Sequence, residues 1–224
     1  MELNPDDLDA AQRYKLLTGG VTPRPIAVVS SRSPDGVVNV APFSFFNAAG
    51  ATPMMLMFVV STKPDGASKD TLRNCRPEAE GGTGEFVVNL AVEAYARRMS
   101  ATAHPLDYGD SELTKVGFVP APSTKVKPPR LAASPIAYEC RTAQILELGE
   151  GAPGSGNLVL GRVVHVHVRD EVINERFHID HAKVATIGRM GGRLYTRTRE
   201  IFGLANSLAA LDDDPPFEED TGER

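Results

Sequence analysis

Four consecutive residues, Ser68, Lys69, Asp70 and Thr71, combine groups that suit a phosphate monoester. If they open a helix, its free N–H groups and partial positive charge face an anion. Ser68 or Thr71 adds a hydroxyl and Lys69 a cation, whereas Asp70 repels an anion unless its side chain turns aside. The same residues also fit an ordinary capped helix start, because Ser is a common N-cap. Upstream, residues 41–50 read APFSFFNAAG, which sets Ser44 and Asn47 among Phe43, Phe45 and Phe46. An unpaired polar group in an apolar site costs ~1–3 kcal/mol. Either the backbone or a ligand must therefore satisfy Ser44 and Asn47. A planar apolar ring with polar edges could lie along such a strand, its edge bonded by Ser44, Asn47 and nearby backbone N–H groups.

Other spacings are weaker. Gly149, Gly151 and Gly154 match the dinucleotide fingerprint G-x-G-x-x-G, but that motif needs a helix to follow. Here strand-like NLVLGRVVHVHV follows and Pro153 interrupts the loop, so a hairpin loop is the better reading. His165 and His167 alternate with valines and so share one strand face. Such a pair can ligate zinc or iron, with His178 and His181 as possible further ligands, or can simply sit on the wetter side of a strand. Cys75 and Cys140 form no CxxC pair and read as two reduced, buried thiols.

The elements that must position these residues are mostly strands. PRPIAVVSS reads as a strand from Ile26, followed by SPDG turn chemistry and a return strand, VVNVAPFSFF. MMLMFVVS, residues 85–90, AYECRTAQILEL and NLVLGRVVHVHV add four more. Helical signals are confined to residues 6–17, 68–75, 91–101 and the segment HIDHAKVATIG. Six or more strands with short connections favour an antiparallel barrel over a parallel α/β sheet.

Composition narrows the function classes. A net charge of −5 argues against a nucleic-acid footprint. The apolar run at 54–60 falls far short of the roughly 20 residues that span a bilayer. The acidic N-terminus has no signal-peptide core, so a soluble, cytoplasmic protein is expected.

The run TPRPIAVVSSRSPDGVVNVAPFSFFNAAGATPMMLMFVV, followed by KDTLRN, GEFVVNLA, PPRLAASPIAYECR and GRVVHVHVRD, resembles the flavin reductase-like, FMN-binding split-barrel family. The resemblance spans residues 18–195. It implies a mainly β fold, a six-stranded antiparallel Greek-key split barrel with a few peripheral helices. Residues 1–17 would then be an N-terminal extension, 18–205 the FMN-binding domain, and 206–224 an acidic, disordered tail. It also implies a homodimer that binds FMN near its interface and takes electrons from NADH or NADPH. Ser44, Phe45 and Asn47 would meet the isoalloxazine and ribityl groups. Ser61, Lys69 and Thr71 would lie near the phosphate, with Asp70 free to bond a ribityl hydroxyl. Arg24, Arg189 and Tyr195 are further candidates. No side chain is assigned a catalytic role, because the cofactor carries hydride chemistry. Reduced flavin would pass electrons to oxygen, free flavin or a partner monooxygenase. The segments at 77–84 and 149–156 look longer than the family pattern. The rival readings are a flavin carrier or sensor without turnover, a His-ligated metal enzyme, and a purely structural dimerising barrel.

Overall fold

The computed structural model describes residues 1–205; the expected acidic tail lies outside the described residues. Among the described residues there are eleven strands: β1 (Ala27–Arg32), β2 (Val38–Phe43), β3 (Phe46–Ala51), β4 (Met54–Ser61), β5 (Glu85–Leu90), β6 (Pro120–Ala121), β7 (Arg130–Leu131), β8 (Ile136–Glu147), β9 (Gly156–Val168), β10 (Ile187–Arg189) and β11 (Tyr195–Arg197). The α-helices are short: α1 (Ala10–Gly20), α2 (Asp70–Cys75), α3 (Ala96–Ala101), α4 (Glu112–Lys115) and α5 (His181–Val184). No helix among the described residues is long and apolar enough to cross a membrane.

Seven strands form one antiparallel sheet in the order β2-β1-β5-β8-β9-β4-β3. This corrects the expected six-stranded barrel in two ways. The stretch VVNVAPFSFF is two strands, because the chain leaves β2 at Phe43 and enters β3 at Phe46, on the opposite edge of the sheet. The sheet also does not close, since β2 and β3 share no ladder. The reason lies at the edge of β2. Val40 N–H donates to Glu112 Oε2 at 3.2 Å, and Ser111 Oγ–H donates to the Val38 carbonyl. Side chains around α4 therefore take the groups that a closing strand would need.

Alternation along β1 buries two faces at once. Val28 joins Ile26, Val40, Tyr95, Met99 and Leu131 under the helices. Ala27 and Val29 join Phe43, Phe58, Phe86, Val88 and Cys140 on the other side. Strands covered on both faces read as unbroken apolar runs, which is why β1 and β5 were legible. At Gly161 the sheet tolerates no side chain: a Cβ there would sit 2.3 Å from the Phe86 ring. Cys75 and Cys140 are both free and wholly buried. Burial, above all, pushes both thiols far above their ordinary range.

The glycines at 149, 151 and 154 lie in the loop joining β8 to β9, as their strand context requires. α1 begins later than the sequence suggests, at a capping box: Asp9 accepts from Gln12 N–H at 2.7 Å, and Asp9 N–H donates to the Gln12 side chain at 2.9 Å.

Candidate functional site

A cleft of about 560 Å³ opens beside the covered edge of β2. Its floor comes from Asn39, Ala41 and Phe43, which share one face of that strand. One wall is the turn after β4 and the start of α2, with Lys63, Lys69, Asp70 and Thr71. The other is segment 102–106 with Glu112. Both lysines therefore reach a space whose floor is partly aromatic.

The wall is fixed by buried polar contacts. Asn39 Nδ2 donates to Thr71 Oγ1 at 2.8 Å and to Ser31 Oγ at 3.3 Å. Asn74 Nδ2 reaches the same Ser31 oxygen at 3.0 Å, and Tyr108 donates to Asn74 Oδ1 at 2.9 Å. These bonds tie α2 to β1 and β2. Lys63 is held by a tight turn: its N–H donates to the Ala67 carbonyl, and its carbonyl accepts from Gly66 N–H. Gly66 adopts φ +80°, a conformation that favours glycine.

The electrostatics are mixed. Burial, and secondarily the Lys63 ammonium, lowers the Lys69 pKa from its ordinary value. Burial raises Glu112, so its charge is disfavoured. Asp70 Oδ1 stands 3.9 Å from Lys63 Nζ, within Coulombic reach but beyond hydrogen-bond length. That oxygen is buried and accepts no hydrogen bond among the described residues. A buried carboxylate oxygen without a donor is costly, and a hydroxyl-bearing ligand would relieve it.

The sequence-derived candidates divide between this cleft and other places. Lys69, Asp70 and Thr71 line it. Ser68 is not the cap: Lys69 occupies the N-cap position, and no side chain caps the helix. With only six residues in α2, Thr71 and the lysines offer more to an anion than the helix itself. Ser61 ends β4 and does not line the cleft. Ser44, Phe45 and Asn47 follow the cleft residue Phe43 but face elsewhere. Ser44 Oγ accepts from Arg24 Nε at 3.4 Å, and Asn47 Oδ1 accepts from Ala48 N–H at 2.8 Å. Each side-chain oxygen thus has a protein donor. The N–H groups of Ser44 and Phe45 donate to no backbone carbonyl among the described residues.

Arg24 and Arg189 meet at a second corner. Their backbones pair in both directions, at 2.9 and 2.8 Å. The buried Arg24 guanidinium donates to the carbonyls of Thr18, Val21 and Met190. Arg189 lies over the Tyr195 ring, 4.6 Å from its centroid. Sequence reasoning missed Asn39, Lys63 and Glu112. Lys63 sits in the loop STKPDGAS and carried no local signal; only the fold turns it toward Lys69.

A family model described as a flavin reductase-like domain matches residues 19–186, most of the chain. The chain belongs to the flavin reductase-like domain family. A protein of Halalkalibacterium halodurans is 38% identical over 205 residues, covering 91% of this chain and 95% of the relative. The crystal structure of nitrilotriacetate monooxygenase component B from Bacillus cereus is 34% identical, with a TM-score of 0.84 over 91% of this chain and 98% of that one. That of the 2-nitrobenzoate 2-nitroreductase NbaA of Pseudomonas fluorescens is 33% identical, with a TM-score of 0.81 over 93% and 97%. Membership supports an oxidoreductase-type enzyme that uses flavin and nicotinamide cofactors. In this flavin reductase-like chain the matched region ends before Arg189 and Tyr195.

Proposed function

We propose that the protein is an NAD(P)H-dependent flavin reductase that binds FMN with its phosphate end in the cleft beside β2. The observation that carries this reading is the buried, donorless Asp70 Oδ1 beside Lys63 and Lys69. Two ammonium groups suit a phosphate, and an orphaned carboxylate oxygen suits a neighbouring hydroxyl of the ribityl chain. The donor set therefore fits FMN better than a ligand carrying only an anion, which Asp70 would repel.

Lys63 and Lys69 would hold the phosphate, Asp70 a ribityl hydroxyl, and Thr71 would offer the hydroxyl proton that its bond from Asn39 leaves unused. Phe43 supplies apolar floor. The Ser44 and Phe45 N–H groups, with Asn47 close by in the chain, are our candidates for the polar edge of the ring, and Ser61, two residues before Lys63, for the phosphate end. Donors at that edge would favour negative charge on the ring. When bound, FMN supplies the hydride-accepting chemistry at N5, and the protein supplies position and electrostatics.

We read the exposed edge of β3, residues 47–51, as the contact of a homodimer, since an open edge of small residues invites pairing. Similarity to a monooxygenase component supports a monooxygenase as recipient of the reduced flavin.

The visible spectrum tests the function directly. Purified protein supplied with FMN should retain a yellow colour through desalting, and NADH or NADPH should bleach it. A protein that keeps flavin but is bleached by neither donor is a carrier instead. One that retains no flavin overturns the reading.

A further inference from the structure

Away from the cleft, the pairing of β8 with β9 brings three ligand-type side chains together. Glu139 stands opposite His165, and Ala137 opposite His167, so the period of two puts both imidazoles on one face. The register slips between Glu139 and Cys140, leaving Val164 as the extra residue of a bulge beside the pair. The two rings lie 4.7 Å apart, nearly edge to face. One ligand atom from each of Glu139, His165 and His167 lies within 4.8 Å of the others. None of the three lines the flavin cleft. His178 and His181, the partners expected from sequence, are not in the group.

Glu139 is wholly buried. It accepts from the N–H groups of Thr124 at 2.6 Å, Lys125 at 2.5 Å and Val126 at 3.2 Å. Those three amides leave a lone pair at Oε1, where only one of them donates, and they carry no net charge. Its only ion-pair partner among the described residues is His167, Nε2 to Oε1 at 2.5 Å, and that ring is charged only when protonated. A role in pinning the 124–126 segment explains Glu139 and His167. It does not explain His165, whose side chain makes no hydrogen bond or ion pair among the described residues.

We propose that Glu139, His165 and His167 form a binding site for a divalent transition cation of the zinc class. Two imidazoles and one carboxylate are a recognised zinc ligand set, with a fourth position left for water. Around a tetrahedral ion with bonds of ~2.1 Å, ligand atoms stand ~3.4 Å apart. The spacing here brackets that value, from 2.5 Å for the bonded pair to at most 4.8 Å. The cation takes the place of the proton between His167 Nε2 and Glu139 and draws His165 inward; a neutral His167 then carries its ring proton on Nδ1, and only an imidazolium gives one up to solvent. It also supplies the positive charge that the buried carboxylate lacks.

Full-length protein dialysed against chelator and then titrated with zinc chloride tests the site, read by calorimetry and by metal content after desalting. Cobalt(II) serves as a second probe through its visible absorption. Wild-type protein should take up one zinc per chain, with or without FMN. His165→Ala should weaken zinc binding by about tenfold or more. It should change metal-free thermal stability little, because the His165 side chain makes no hydrogen bond or ion pair among the described residues and packs only edge-on against His167. A His178→Ala/His181→Ala double variant should bind zinc as the wild type does. Absence of zinc from the desalted wild-type protein, or equal affinity in His165→Ala, overturns the site. Either failure leaves the flavin reading intact, because that reading rests on the cleft spectrum and on different residues.

Discussion

Replacing Lys63 and Lys69 together by alanine should weaken FMN binding by two orders of magnitude while leaving riboflavin nearly unaffected. Each charge-assisted contact to the phosphate contributes ~1.5–3 kcal/mol, or roughly 10–150-fold in affinity. The two losses will not sum fully, since both lysines address one group. Lys69 makes this a clean test, because it sits at the helix N-cap without a side-chain capping bond. Lys63 carries only a 3.9 Å pairing with Asp70, and its side chain is 33% exposed, so little fold stability depends on it. Fluorescence titration with both ligands separates the outcomes. Equal losses for FMN and riboflavin would remove the lysines from any phosphate site.

Phe58→Ala should cost ~3–5 kcal/mol of folding free energy, a large share of the ~5–15 kcal/mol typical of a domain. The Phe58 ring is fully buried. It packs 5.1 Å from Phe43 and 5.3 Å, edge-on, from Phe86. Each aromatic pairing adds ~0.5–1.5 kcal/mol beyond its area burial. The tip of the Phe86 ring is already seated against Gly161, so that ring cannot easily move in to fill the cavity without losing its own packing. Because Phe43 also floors the cleft, the variant should bind flavin less tightly as well. Urea unfolding measures the first effect, and a change below ~1 kcal/mol would contradict the packing described here.

Strand patterning carried most of the architecture. Residues 85–90 became β5 with those bounds, because a strand buried on both faces leaves an unbroken apolar run. The misreading of VVNVAPFSFF has a physical source. Ser44 and Phe45 move the chain from one sheet edge to the other in only two residues, with no Gly, Asn, Asp or Pro between the strands to mark the change. Closure was equally hidden, since it is decided by Ser111 and Glu112 capping β2 from some 70 positions away. Within the cleft, Lys69, Asp70 and Thr71 were readable as a cluster because they are adjacent. Lys63 and Asn39 reach the same space from other elements, and no local spacing announces that. The two polar residues among the phenylalanines turned out to have protein partners, Arg24 for Ser44 and a neighbouring amide for Asn47.

The placement of the sulfur atoms bears on endurance. Electrons that stray from a reduced flavin to dioxygen end as hydrogen peroxide, and peroxide attacks thiolates rather than thiols. The chain has two cysteines, and both are enclosed and held in the protonated form. An oxidant formed by a flavin in the proposed site therefore meets no accessible sulfhydryl on the folded chain, and wear by sulfenic-acid formation must wait for unfolding.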